Sequence, residues 1–222
     1  MGNSVTSVLP YIALLAKGTG VTFAAWIITA AISACIGTVL GILSCRHFAH
    51  LGLAIPIRIY TFIAKGIPAY VQILIAYFVI VPALGITVSG FAAACGALAF
   101  CSSGYMTEII RTGINAIPKG QWDACFVLGY PLHATLYRII MPQVFRIMVP
   151  AFFGECEQLL KSTSLLATIG VVELTRTGMN IISRELNPFA VYAVIALIYL
   201  FFAALVQLAL FLIERKMRHG NH

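Results

Sequence analysis

Residues 123–142 read DACFVLGYPLHATLYRIIMP. They place an acid, a Gly-Tyr-Pro turn, a His and an Arg at the middle of a chain that is 61% hydrophobic and 9% charged. Soluble domains carry about 25% charged residues. A chain this poor in charge cannot cover a water-facing surface, so a bilayer is its main solvent. In that setting the stretch reads as a hinge at the water boundary, where Gly129-Tyr130-Pro131 ends one short helix and begins the next. Asp123 is expected near the start of the first helix, where negative charge is favoured.

On either side of the hinge lie uncharged runs near the length of about 20 residues that a membrane helix needs. Residues 18–45 hold no charged side chain, nor do residues 66–107, and the second run is interrupted by VPALGIT at 81–87. Together with the apolar stretches further on, these predict five spans at about 18–45, 58–81, 89–112, 144–160 and 187–213. The expected fold class is an all-α membrane protein, because a helix satisfies its own backbone in lipid. Gly37 and Gly41 form a G-x-x-x-G in the first span, which reads as close packing and not as a dimer face. Residues 161–186 alternate apolar and polar pieces, too broken for an ordinary span, and are expected to dip partway into the membrane under protein cover.

Charge sets the orientation. Of the 14 Lys and Arg residues, only Lys17, Lys161, Arg176 and Arg184 fall outside if the 46–58 and 113–143 loops and the C-terminus are inside. That bias predicts N-out, C-in. The net charge of +7 therefore belongs to membrane topology and not to nucleic-acid binding. Met1-Gly2-Asn3-Ser4-Val5-Thr6 matches the loose acylation pattern, but at an end expected to face away from the cytosol. No basic start leads into a short apolar core, so the first span is expected to remain in the protein.

Several chemistries are disfavoured. The cysteines Cys35, Cys45, Cys95, Cys101, Cys125 and Cys156 form no C-x-x-C pair and read as small buried hydrophobes. The histidines His47, His50, His133, His219 and His222 are scattered, without metal-site spacing. No nucleophile with a base appears, as a membrane enzyme would need. An ion-coupled secondary transporter often carries inverted repeats, and no clear internal repeat is present. No G-x-x-x-x-G-K-[ST] occurs, so nucleotide is not expected to bind this chain by that route.

The hinge also carries a spacing: acid-Ala-Cys at 123–125, three residues, Gly129, nine residues, Ile139, one residue, Met141-Pro142. This resembles the EAA signature of ATP-binding-cassette importer permeases, with Asp123, Cys125 and Met141 as mild departures. The resemblance covers nearly the whole chain and is nearest the polar amino acid (histidine/glutamine/arginine) subfamily of the MetI-like fold. KGIPAYVQ at 65–72, GYMTEIIRTGINAIPKGQWDAC at 104–125 and LLKSTSLLATIGVVELTR at 159–176 look like that subfamily's segments. Lys65, Ile67 and Ser162 stand where Arg, Thr and Asp are usual.

The resemblance implies an N-terminal extracytoplasmic segment at 1–17, a transmembrane domain at 18–214 with a coupling region at about 118–142, and a cytosolic tail at 215–222. Asp123, Ala124, Gly129, Tyr130, Ile139 and Pro142 would couple to the ATPase. The implied partners are an ATPase dimer holding ATP and Mg, a second permease (the same chain or a paralogue) and an extracytoplasmic solute-binding protein. The implied location is the bacterial inner membrane. For the substrate pathway the candidates are Gln72, Glu155, Glu157, Lys161, Thr163 and Ser164. Glu157 and Lys161 are spaced to pair on one helix face, as are Glu108 and Arg111. Thr163 and Ser164 either meet a ligand carboxylate or cap the helix that follows. Glu157, where the family has an apolar residue, suits a cationic amino acid; glutamine, glutamate or another small solute is the alternative.

Overall fold

The computed structural model describes residues 5–47 and 51–219. The acylation-pattern residues Met1–Ser4, His50, His222 and the last residues of the tail lie outside that description. The described residues form helices joined by short turns, without a strand. After a 3-10 lead-in at Val5–Tyr11 come α1 (Ile12–Ser44), α2 (Leu51–Gly66), α3 (Ala69–Ala83), α4 (Gly90–Asn115) and α5 (Lys119–Val127). Then follow α6 (Leu132–Ile169), α7 (Leu174–Glu185) and α8 (Pro188–His219).

Prolines and side-chain caps place the starts. Pro68, Pro118 and Pro131 stand immediately before α3, α5 and α6. Proline lacks an N–H and disfavours helical geometry in the residue before it. Ser89 opens α4 by accepting from the Ala92 N–H at 3.2 Å, and Glu173 opens α7 by accepting from the N–H groups of Thr175 and Arg176 at 2.9 and 2.7 Å. Two π-helical stretches, Ala76–Ile80 and Thr135–Ile140, each end just before a proline, Pro82 or Pro142. A proline deprives the carbonyl four residues back of its partner, and a locally widened turn accommodates the ring.

Four helices are long and apolar enough to cross a membrane, and a fifth span exists if the bent pair α2–α3 counts as one. The bend corrects the expectation of a straight second span over 58–81: the two helices meet at 100°, because Pro68 forces Ile67 out of the helix. The fourth span, expected over 144–160, lies within the longer α6. The broken segment 161–186 is a 3-10 turn leading through Gly170 (φ +83°) into α7, whose Leu174, Thr177, Gly178 and Ile181 are buried. The last helix runs past residue 213 into the tail without a break.

The hub is α4, with 67% of its most apolar window buried, against 28% or less for the other long helices. Along α1 a stripe of mostly small residues faces inward: Leu15, Gly18, Thr22, Ala25, Thr29, Ser33, Gly37 and Gly41. Ile27, Ile32, Ile36 and Val39 point out. At Gly37 and Gly41 the α1 backbone meets α4 so closely that an added Cβ would lie 2.3 Å from the Met106 Cβ and 2.6 Å from the Ile110 Cβ. The G-x-x-x-G is thus an intrachain crossing, as expected from bland packing. One cluster of the core, with Ala25, Ile73, Leu98, Leu159 and Leu166, lies beside the α2–α3 bend. Another, with Ile110, Ile114, Trp122, Ile140 and Val144, lies under the hinge.

Candidate functional site

Two places collect the polar groups of this bundle: the hinge at one end and a cavity at the α2–α3 bend.

At the hinge, α5 is anchored by one face. Trp122 and Cys125 are buried against the α4 and α6 ends, and the Trp122 ring stacks on His47 with centroids 3.7 Å apart. Burial there pushes the His47 pKa down, opposed by the charge of Asp123. The other face is open. Asp123 and Ala124 are exposed, and Phe126, Val127 and Leu128 are 84%, 82% and 73% exposed. Three adjacent large apolar side chains stand uncovered there, an exposed patch of the kind that meets another protein or a membrane.

The turn is built by Gly129 at φ +72°. The Gly129 N–H donates to the Phe126 carbonyl and the Tyr130 N–H to the Cys125 carbonyl, both at 3.0 Å. This is a Schellman closure, which needs a left-handed residue, with Pro131 stopping further helix. Tyr130 and Pro142 are exposed, and Ile139 is half-buried beneath them. Asp123 is not at a helix start as expected: α5 begins at Lys119, because Pro118 precedes it, and Asp123 lies a full turn further on.

The cavity has a volume of about 350 Å³, and its walls come from the bend (Lys65, Pro68), from α4 (Ser102, Tyr105) and from α6 (Glu155, Gln158). The Glu155 carboxylate faces it and accepts from the Ser102 hydroxyl at 2.7 Å. Lys65 sits 3.9 Å from Glu108 and 6.0 Å from the Tyr105 ring centroid. It also lines a second cavity of about 460 Å³ that holds Arg58, Glu108 and Arg111. An anion on one wall and a cation on another suit a small zwitterion, and ligand pockets start at about 300 Å³.

The other pathway candidates are placed elsewhere. Gln72 is buried behind the cavity wall. Its Nε2 donates to the Ala64 and Ile67 carbonyls at 2.8 and 2.7 Å, satisfying the end of α2 that Pro68 leaves open. Glu157 pairs with Lys161 at 2.6 Å and accepts from Gln207 of α8, as the i,i+4 spacing predicts for the first contact. Two residues along a helix is a rotation of about 200°, so Glu157 turns away from the cavity that Glu155 faces. Thr163 and Ser164 donate back to the Leu160 and Lys161 carbonyls at 2.6 and 2.8 Å, and no side chain caps the turn they begin. Arg111 pairs with Glu108, as its spacing predicts.

Sequence reasoning missed three residues here. Lys65 reads in the sequence as a departure from the family's Arg, and Ser102, one hydroxyl in an uncharged run, carries no signal. Glu173, fully buried, caps α7 and also accepts from Thr22 at 3.4 Å and Tyr199 at 3.2 Å, tying α7 to α1 and α8. An acid directly before a polar helical stretch was its available signal.

An all-helical membrane bundle with an uncovered hinge and a charged cavity at a broken helix is the architecture of a transport permease. Residues 37–219 match the model of the binding-protein-dependent transport system inner membrane component family, and the chain belongs to that family of membrane-embedded permease subunits, whose ATP hydrolysis is carried out by a separate ATPase. The L-cystine transport system permease protein TcyB of Bacillus subtilis (strain 168) is 36% identical over 72% of this chain and 68% of its own length. The arginine transport system permease protein ArtQ of the same organism is 28% identical over all of both chains. A crystal structure of an amino acid ABC transporter with histidines superposes with a TM-score of 0.88 at 28% identity, covering 97% of this chain and all of that one.

Proposed function

We infer that this chain is the permease subunit of an ATP-binding-cassette importer for amino acids in the bacterial inner membrane. The observation that carries the reading is Glu155, held by Ser102 in the cavity at the bend and set across from Lys65. Glu155 takes the substrate's ammonium and Lys65 its carboxylate. Lys65 belongs to both cavities, so the carboxylate can pass toward Arg58 and Arg111 without leaving a cation. A cationic side chain would find only Glu155 as its anion in the cavity, since Glu157 is engaged with Lys161 and Gln207. Arginine, lysine and histidine therefore compete with glutamine and the other polar amino acids on the shape of the cavity.

In this reading the chain crosses five times, N-out and C-in, with the bent pair as the second span. Residues 1–17 lie outside, 18–214 form the transmembrane domain and 215–222 face the cytosol. The exposed face of α5, with Asp123, Ala124 and the turn at Gly129 and Tyr130, docks into an ATPase subunit that holds ATP and Mg. Ile139 and Pro142 carry its movement into α6. A second permease and an extracytoplasmic binding protein complete the complex. Alternating access follows when ATPase closure draws the two hinges together and the ligand contacts differ between the two states.

The complex is tested whole, in nanodiscs, with the ATPase and binding protein encoded beside this chain and each amino acid added in turn. Stimulation of ATP hydrolysis by amino acids is expected; stimulation confined to arginine, lysine and histidine supports the cationic preference, and stimulation by glutamine or glutamate removes it. No response to any amino acid, in an assembled complex, would point to a different solute. Gly129→Ala provides a second test, since a Cβ at φ +72° costs about 1–2 kcal/mol. The variant is expected to assemble while its stimulated ATPase activity falls toward the basal rate. Wild-type stimulation would show that the turn does not transmit the signal.

A further inference from the structure

Away from the hinge and the bend, a cavity of about 580 Å³ opens between α1 and α7. Its inner walls are apolar, from Leu14, Val21, Phe91 and Ile181, and two cations, Lys17 and Arg184, stand at it. Neither cation is in an ion pair among the described residues. The neighbouring Glu185 is engaged with the Tyr11 hydroxyl. Thr177 also lines the cavity and is only 6% exposed, yet its Oγ1 has no hydrogen-bond partner. All the elements here belong to one end of the bundle: the beginning of α1, the beginning of α4 and the chain just after α6.

We propose that this cavity binds the phosphate headgroup of an anionic phospholipid. Lys17 and Arg184 neutralise the phosphodiester, and the apolar wall receives the upper part of an acyl chain. Two unpaired cations over a greasy wall suit an anionic amphiphile better than a free ion, which would leave that wall uncovered. The orientation proposed above enters only in assigning the site to the outer leaflet. The position matters mechanically, because Gly18 packs against Thr177 here, with an added Cβ only 2.5 Å from the Thr177 Oγ1. A lipid at this place braces the α1–α7 contact.

The test uses the assembled complex, extracted from nanodiscs of equal parts phosphatidylglycerol and phosphatidylcholine, with retained lipid counted by native mass spectrometry. Preferential retention of phosphatidylglycerol is expected, falling about fivefold for each of Lys17→Gln and Arg184→Gln and further in the double variant. Thr177→Val, whose lost hydroxyl packs against Gly18 and not into the cavity, is the control and is expected to keep the preference. Equal retention of the two lipids by the wild type, or unchanged preference in the double variant with the complex intact, would overturn the proposal. Displacement of the lipid by millimolar inorganic phosphate would replace it with a free-anion site. Unchanged retention with weakened affinity for the binding protein would assign the two cations to that protein. Lipid retention is read without substrate, so its failure is separate from failure of the amino acid reading.

Discussion

Glu155→Gln is expected to abolish amino-acid-stimulated ATP hydrolysis and uptake, while Glu157→Gln leaves both near the wild type. The two acids are two residues apart on one helix, and glutamine is close to isosteric with glutamate, so the comparison isolates charge from shape. At position 155 the carboxylate faces the cavity and is held by Ser102 at 2.7 Å. A glutamine there still accepts from Ser102 but presents no charge to an ammonium. Removing one member of a partly desolvated charge pair costs about 2–5 kcal/mol, enough to reduce binding to a small residue of its strength. At position 157 the lost charge is answered by Lys161, which is 54% exposed and can turn to water. The expected cost is confined to the α6–α8 contact through Gln207. Uptake measured in proteoliposomes with each variant decides the matter. Equal loss in both variants, or retention in Glu155→Gln, would remove Glu155 from the substrate path.

Gly37→Ala is expected to destabilise the bundle more than any other single-methyl addition to α1 outside its contact with α7. Its new Cβ would meet the Met106 Cβ at 2.3 Å, with the Met106 carbonyl carbon and the Thr107 nitrogen each at 3.0 Å. The obstruction is largely backbone, which no rotamer change relieves, so α1 must move off α4. Overpacking of this kind costs about 1–3 kcal/mol, and here it acts on the crossing that joins α1 to the hub. Gly20→Ala on the same helix is the control, because nothing lies within 4 Å of its added Cβ and alanine favours helix. Thermal unfolding of the purified permease is expected to show a midpoint lowered by several degrees for Gly37→Ala and not for Gly20→Ala. Matching midpoints would mean that the two helices do not cross at Gly37.

The two effects share a cause in the way α4 is used. Its Gly104 lets α2 approach, with an added Cβ 2.8 Å from the Ala64 Cβ, and the residues around it carry Ser102, Tyr105 and Glu108 toward the bend and its cavities. Gln72 then holds the open end of α2. The cavity therefore exists because a proline breaks a span beside a helix with small residues enough to be approached closely. A rigid break in a span also offers backbone and side chains at membrane depth without exposing either to lipid.

The features legible in the chain before it folds are local or compositional. The scarcity of charge required a membrane bundle, and uncharged runs located its long helices. Gly129-Tyr130-Pro131 marked the hinge, since a left-handed glycine and a following proline end a helix whatever surrounds them. The Glu157–Lys161 and Glu108–Arg111 pairs follow from helical spacing alone. Packing between helices settled which side of each one meets another. The spacing of Glu155 and Glu157 put them on different faces of α6, but not which face looks into the cavity, because that depends on where α4 and α8 lie. It also decided the 100° turn at Pro68, the place of Lys65 on the cavity wall, and the burial of Glu173 among groups from three helices. Each of these is a contact between residues far apart in the chain. In a bilayer, apolar faces of a helix pack against lipid as readily as against protein, so hydrophobic pattern alone leaves the inward face unmarked.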